Sequence, residues 1–162
     1  MKKIKYLISF LFPLLLLSSC ASTYAPREPI QSYSHIVETE SLSEEDFFNK
    51  SEQWLNKTFN GIQSGYMLNK VNGYIMGQFT IDYSTLFNYQ TVESKFTIRF
   101  SDGNARIEIY NPVLTIYGDF IQGNYKTPVV RDVYDSDRNL SERIYKDWHK
   151  YIMNYDRYLK EE

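Results

Sequence analysis

The chain has 162 residues, 43% of them hydrophobic and 17% aromatic, and its 18 basic and 20 acidic residues give a formal net charge of −2 at pH 7. A net-acidic chain lacks the basic face that contacts to phosphate groups need, so its composition argues against nucleic-acid binding. The length fits one domain of common size.

The first twenty residues have the pattern of a bacterial lipoprotein signal. Three lysines within the first five residues precede an apolar run over residues 6–17. Twelve helical residues cover only about 18 Å, well short of the ~30 Å hydrocarbon core of a membrane. The run ends in the letters LSSC, which resemble the lipobox whose cysteine receives a diacylglycerol. We therefore predict that residues 1–19 are a cleaved signal peptide and that Cys20 is lipidated; the alternative is an ordinary secretory signal with an incidental cysteine.

The residues that follow the lipobox indicate a tether and a location. Residues 20–31 include Pro26 and Pro29 and are typical of an extended linker, so a single domain over residues 32–162 is expected. Without the three signal lysines, 15 basic residues face 20 acidic ones, and the mature chain carries a formal charge of about −5. Ala21 rather than aspartate follows the cysteine, which by resemblance to known sorting rules favours the outer membrane, with the domain facing the periplasm.

The first part of the domain predicts a strand and a helix. Residues 33–38 read as a short strand. Ser43 and Asp46 have the spacing of a capping box, and apolar residues at helical spacing follow until Gly61, so a helix is expected over about residues 44–60.

Four strands are expected next, over about residues 65–71, 74–83, 92–100 and 105–111. Asn72-Gly73 and Asp102-Gly103 are strong signals for two-residue hairpin turns. The first turn would place Val71 opposite Tyr74. The second would pair Phe100 with Ala105, Ile98 with Ile107 and Phe96 with Ile109.

The last part of the chain predicts a long connection and a second helix. Residues 112–136 contain two prolines and two glycines, and residues 113–117 are a candidate for an extra strand. From Asn139 onward a second amphipathic stripe indicates a helix, with Asn139 as its N-cap and Glu142 reaching back to it.

Three stretches resemble a known protein family. They are residues 43–48 leading into Trp54-Leu55 and Thr58-Phe59, residues 72–77 (NGYIMG), and residues 96–100 (FTIRF) with Asp102-Gly103. They resemble uncharacterised secreted bacterial proteins, Bacteroides-like, described as a domain of unknown function with a TATA-binding-protein-like fold. The resemblance covers about residues 31–111. It implies an α+β fold in the order strand, helix, four strands, helix, with a curved antiparallel sheet and both helices on one face. It brings no catalytic residues, and the fold name does not imply DNA binding.

No catalytic, cofactor or metal motif is found in the sequence. His35 and His149 do not have a metal-binding spacing, and there is neither a nucleophile elbow nor a phosphate loop. Asp135, Asp137 and Asn139 match the first ligands of a calcium loop, but the turn glycine and the closing glutamate of such a loop are absent. We therefore expect neither enzymatic activity nor a cofactor.

The sheet face opposite the helices is the expected working surface. Leu68, Ile75, Phe79 and Ile81 are expected in the core, which leaves the other face of these strands open. Arg99 would lie directly opposite Arg106, either in a solvated ion-pair network with Glu108 or as part of a surface for a protein partner. The residues expected on this surface are Met67, Val71, Tyr74, Met76, Arg99, Arg106 and Tyr110.

Three kinds of function are compatible with the sequence. The first, which the sequence favours mildly, is a non-enzymatic interaction or assembly module held at the membrane by the lipid on Cys20, with a possible envelope protein as partner. The alternative is a small-ligand or glycan-binding lipoprotein, because the 15 tyrosines and 10 phenylalanines include possible sugar-stacking platforms. The third is a cell-wall hydrolase, which would need paired carboxylates in a cleft.

Overall fold

A computed structural model describes residues 28–59, 65–84, 89–117 and 127–161. Cys20, most of the expected tether and the helix-ending Gly61 lie outside these ranges. The elements within them are β1 (Tyr33–Glu38), α1 (Glu44–Phe59), β2 (Gly65–Asn69), β3 (Tyr74–Asp82), β4 (Tyr89–Ser101), β5 (Asn104–Tyr117), β6 (Val129–Asp132) and α2 (Arg138–Lys160).

All six strands belong to one antiparallel sheet. Its order is β1-β5-β4-β3-β2, and β6 also pairs with β5. β1 pairs with residues 104–109 of β5 and β6 with residues 113–116, so the two short strands lie end to end along the same edge of β5. The α+β fold expected from the sequence is confirmed, with β6 as an additional strand in the segment that was expected to be a connection.

The start of α1 is determined by the predicted capping box. The backbone N–H of Asp46 donates to Ser43 Oγ (3.2 Å), and the backbone N–H of Ser43 donates back to the Asp46 carboxylate (3.2 Å). Hydrogen bonds from Ser43 hold the pKa of Asp46 below its usual value. The box therefore satisfies N–H groups that a helix terminus otherwise leaves unpaired.

Both helices pack on one face of the sheet and enclose an aromatic core. Trp54 of α1 packs against Phe59 and Tyr155, with ring centroids 5.7 and 4.9 Å apart. Trp148 of α2 is fully buried, and its indole N–H donates to Ser94 Oγ on β4 (3.2 Å). Burial of each large apolar side chain contributes about 1.5–3 kcal/mol. Because the buried side chains of the helices and the sheet form one core cluster, most of this stabilisation comes from the side of the sheet that the helices cover.

The N-cap of the second helix lies two positions earlier than the sequence predicted. α2 starts at Arg138 with Asp137 as the N-cap residue, so the predicted cap at Asn139 is wrong. The carbonyl of Asp137 accepts from the backbone N–H of Leu140 and of Ser141. Its carboxylate does not cap the helix in this structure but binds Arg131 in a bidentate pair (2.6 and 3.2 Å). The Asp137 carboxylate therefore joins the start of α2 to β6 instead of capping the helix.

The register of the first hairpin differs from the two-residue turn that was expected. Asn69 lies opposite Tyr74 and Met67 opposite Met76, so the loop has four residues, 70–73. The side-chain carbonyl of Asn69 closes this loop by accepting from Asn72 (3.1 Å), and Gly73 has a positive φ of 59°. The register moves by two residues, which keeps the same side chains on each face, because only a shift of one would exchange the faces.

Two residues of this hairpin depart from the prediction. Val71 lies in the loop rather than in a strand and is 96% exposed. Leu68 is on the helix-side face but is 40% exposed. It belongs to the edge strand β2, whereas the core residues Ile75 and Phe79 are on β3. The second hairpin has the expected register, including Arg99 opposite Arg106.

β5 continues well beyond residue 111, where the sequence predicted its end. Glu93 pairs with Val113 and Lys95 with Tyr110, so β5 carries one more residue than β4 at this point and forms a bulge. Asn111 has a φ of 53°, a left-handed conformation that asparagine tolerates better than most residues. Before the bulge, the odd-numbered residues of β5 face the helices. After it, the even-numbered residues do so. Residues 113–117 are therefore the end of β5 and not a separate strand.

A buried hydroxyl pair between the two helices gives an asymmetric prediction. Ser51 Oγ donates to the carbonyl of Phe47 (2.6 Å) and contacts Tyr155 Oη (2.7 Å). Tyr155→Phe leaves Ser51 with its backbone partner and is expected to cost about 1 kcal/mol, whereas Ser51→Ala leaves a buried phenol unpaired and is expected to cost about 1–3 kcal/mol. Urea unfolding measures both. A Ser51→Ala variant that is as stable as the parent would contradict the assignment, and the double variant should cost less than the sum of the two.

Candidate functional site

The side of the sheet opposite the helices, called the open face below, is covered by no described helix or strand. The strand register assigns its side chains row by row. One row runs Ile36, Arg106, Arg99, Tyr74 and Asn69 across β1, β5, β4, β3 and β2, and the next runs Ser34, Glu108, Thr97, Met76 and Met67. The open face thus contains every residue of the expected surface except Val71.

One part of the open face is apolar. Met67, 56% exposed, lies opposite Met76, and both line a shallow cavity of about 450 Å³ together with Tyr110. Tyr74 lies beside them and accepts a hydrogen bond from the Asn69 side chain (3.0 Å). We call Met67, Tyr74, Met76 and Tyr110 the methionine patch. Flexible thioethers next to tyrosine rings suit contacts with side chains of varied shape.

The neighbouring part of the open face is cationic. Arg99 and Arg106 are both exposed and directly opposite each other, and they line a small cleft of about 210 Å³ with Thr97 and Glu108. The ion-pair network with Glu108 that the sequence suggested is not formed, because neither arginine makes a salt bridge within the described ranges. We call Arg99 and Arg106 the arginine pair.

Sequence reasoning missed other exposed side chains of the open face. Ile36 on β1 is 50% exposed and lies opposite Arg106. Tyr89 and Tyr117 pair at the far end of β4 and β5, with ring centroids 4.8 Å apart. The alternation along residues 33–38 contains the signal for Ile36, but using it requires knowing that β1 pairs with β5. The two tyrosines lie beyond the predicted ends of their strands, at residues 92 and 111, and Tyr117 also follows the bulge at which the face of β5 changes.

A larger cavity of about 910 Å³ lies on the helix side of the molecule, next to α1 and α2. Its lining includes Lys57, Lys146, Lys150 and Arg157. Trp54 also lines it but is 2% exposed, and its indole N–H donates to Asn154 (2.8 Å). The lining is therefore mixed, because Asp147, Glu161 and the rings of Tyr151 and Tyr158 lie beside the four cationic side chains.

Both histidines connect β1 to α2. His35 Nε2 donates to the Asp156 carboxylate (3.3 Å), and His149 Nδ1 lies 2.8 Å from the Tyr33 hydroxyl. Partial burial works to raise the pKa of Asp156, but hydrogen bonds from Lys160 and His35 outweigh it and hold this pKa below its usual value. The hydrogen bonds of these side chains therefore connect the edge strand β1 to α2.

The described residues contain no assembled metal centre. No group of three or more histidine, cysteine, aspartate or glutamate side chains is suitably placed to hold an ion in those ranges. Asp137, one of the three residues with calcium-loop spacing, binds Arg131 instead. Among the same residues, no helix combines the length and the apolar character needed to cross a bilayer.

Two helices on one side of an antiparallel sheet, with the other side open, define an α+β protein whose candidate site is the open face of the sheet. The chain belongs to the family described as "Domain of unknown function (DUF4468) with TBP-like fold", which matches residues 33–115, about half of its length. The resemblance seen in the sequence is thereby confirmed.

Solved structures from two bacteria are similar to this chain. A TBP-like protein from Parabacteroides distasonis is 23% identical with a TM-score of 0.49, and a DUF4468 family protein from Bacteroides ovatus is 16% identical with a TM-score of 0.47. Each match covers 62% of this chain, and it spans 64% and 59% of those chains, less than two thirds of either. No curated protein matches the chain significantly.

The contacts of Asp156 predict a pH-dependent loss of stability in Asp156→Asn. The pKa of this carboxyl is lower in the folded protein than its usual value of about 4, so its contribution is present above about pH 4 and is lost as the pH falls through the folded value. We expect a lower urea midpoint than the parent at pH 7 and a difference that shrinks as the pH falls below about 4 and through the folded-state pKa. Asp135→Asn, at an exposed position without an ion pair, is the control. Equal midpoints of the Asp156 variant and the parent at pH 7 would refute the prediction.

Proposed function

We propose that this protein is a non-enzymatic interaction module of the bacterial envelope, anchored to the outer membrane by lipid on Cys20, and that the open face binds a protein partner in the periplasm. The observation that carries the proposal is the methionine patch, in which Met67 is exposed and the other three side chains are half-buried. Met67 is 56% exposed on a sheet face that no described element covers. Contiguous exposed apolar side chains rimmed by polar ones are typical of interaction sites.

The position of the tether supports this arrangement. The chain enters the described domain at residues 28–30, where Ile30 N–H donates to the carbonyl of Val133 and Asp135 N–H donates to that of Glu28. This entry point lies next to β6, whereas Met67 lies on β2. Four strand spacings separate β6 from β2, which is roughly 19 Å. A lipid anchor on the tether would thus leave the methionine patch free for a partner.

The anchoring part of the proposal predicts the fate of Cys20→Ala. The variant is expected to remain an unlipidated, uncleaved precursor, because the cysteine sulfur is the only acceptor for the diacylglycerol. Mass spectrometry of the N-terminus in the parent and the variant measures this. A parent protein with a free, unmodified N-terminal residue anywhere from 18 to 30 would exclude the lipoprotein assignment.

The binding part of the proposal predicts that Met67→Ser, Tyr74→Ser and Met76→Ser together leave the urea midpoint nearly unchanged but abolish partner binding. These side chains are on the open face, so their loss removes little core packing. A photo-crosslinking amino acid in place of Tyr110 should give one discrete adduct in native cells, and the triple variant should lose it.

The matched control is Val71→Ser with Val129→Ser, because both valines are exposed but are not on the open face. The control should keep the adduct. Loss of the adduct in the control as well, or unfolding of the triple variant, would contradict the assignment of the methionine patch as a binding surface.

A second candidate function is the binding of a small ligand or glycan in the cavity next to α1 and α2. Its volume of about 910 Å³ suits such a ligand, and its lining combines charged side chains of both signs with the rings of Tyr151 and Tyr158. Thermal denaturation with acidic and neutral saccharides would separate the two ligand classes.

A further inference from the structure

We propose that the partner of the open face is a protein segment that places an acidic side chain over the arginine pair and an apolar side chain on the methionine patch. This partner chemistry rests on the proposed function, because it concerns the same surface. It specifies which groups the partner must carry and how far apart they are.

The first support is the unusual position of the two arginines. The register between β4 and β5 places Arg99 directly opposite Arg106 on the open face. Like charges in this arrangement destabilise a sheet. Glu108 lines the same cleft, yet it forms no ion pair with either arginine, and no other described side chain does so. Among the described residues, no ion pair therefore offsets the repulsion between the two guanidinium groups.

Arg131 is an arginine of this chain that stabilises the fold, and its contacts differ from those of the arginine pair. Its guanidinium makes two hydrogen bonds to the Asp137 carboxylate, at 2.6 and 3.2 Å, and joins β6 to the start of α2. Neither Arg99 nor Arg106 has such a side-chain contact within the described ranges. Their guanidinium groups keep their donors available in the fork geometry that matches a carboxylate.

The spacing of the open face defines the segment that fits it. The midpoint between β4 and β5, where an acidic group would meet the arginine pair, lies one and a half strand spacings from Tyr74 on β3, or about 7 Å. An extended chain places side chains on the same side at every second residue, about 6.6 Å apart. A segment crossing the strands would thus carry an acidic residue and a large apolar residue two positions apart.

The experiment titrates the protein with capped five-residue peptides that carry glutamate and phenylalanine two positions apart, followed by amide chemical shifts in NMR spectra. Arg99→Gln with Arg106→Gln should weaken binding about tenfold or more, since a charge-assisted contact is worth about 1.5–3 kcal/mol. A peptide with glutamine in place of glutamate should bind the parent as weakly. Lys50→Gln with Arg138→Gln, on the two helices, changes the net charge equally and should keep the affinity within about twofold.

The stability of the arginine variant separates recognition from a structural role. Removing two opposed cations should leave the urea midpoint equal to that of the parent or raise it. A lower midpoint would overturn the proposal, because the arginines would then be stabilising the sheet. Equal weakening by the control variant at Lys50 and Arg138, or no binding of any acidic peptide at millimolar concentration, would overturn it as well.

Two further comparisons identify the source of the anion and separate this inference from the proposed function. Vesicles containing phosphatidylglycerol, or inorganic phosphate, that bind through the arginine pair when the peptides do not would assign the site to a phosphate group and overturn the protein segment. If the arginine variant keeps the in-cell adduct that the methionine patch variant loses, the proposed function stands and the acidic partner is wrong. Loss of the adduct in both variants supports both.

Discussion

The packing of both helices on one face of the sheet is the constraint on which the rest of the structure depends. α1 and α2 supply the buried rings of Trp54, Trp148 and Tyr155, and these cover only the side of the sheet to which Ile98 and Ile107 point. A second layer on the other side is absent from the described residues. Because side chains alternate along a strand, half of the residues in β3, β4 and β5 must then be compatible with solvent or with a partner.

The bulge in β5 makes this one-sided packing possible along a 14-residue strand. Without it, the alternation that buries Ile107 and Ile109 would place Leu114 on the open face. The extra residue, Asn111, returns Leu114 to the core and lets Pro112 lie in the strand at a point where the regular hydrogen-bond ladder is interrupted. The same device lets the end of β5 pair with β6, through Val113 to Ile116.

The extent to which sequence predicted the structure follows from which interactions are local. The capping box of α1, the face of α2 and the pairing of Phe96 with Ile109 depend on residues close together or on a short turn, and these were correct. The predicted two-residue turn at Asn72-Gly73 was wrong. The observed loop spans residues 70–73 and is closed by a hydrogen bond to the Asn69 side chain, which the Asn72-Gly73 signal does not contain. The predicted cap of α2 at Asn139 was wrong because the helix has Asp137 as its N-cap residue, and the Asp137 side chain binds Arg131 on β6.

The candidate surface was predictable because period-two alternation assigned Met67, Tyr74 and Met76 to the open face, and the two-residue change of register did not alter that assignment. Whether Arg99 and Arg106 had an acidic partner depended on rotamers, which no pattern of residue types determines.

The relation between the open face and stability favours a binding function over a purely structural one. A face that served only solubility would be satisfied by isolated charges and small polar residues, and it would gain nothing from opposed cations or exposed thioethers. Here Arg99 lies on the strand next to Tyr74, Arg106 lies one strand further, and the methionines follow in the adjacent row. Both features add to the free energy of the unbound protein, through repulsion in one case and exposed apolar surface in the other. The proposed partner, which carries an anion next to an apolar side chain, would remove both, so the recognition proposed above accounts for the two features together.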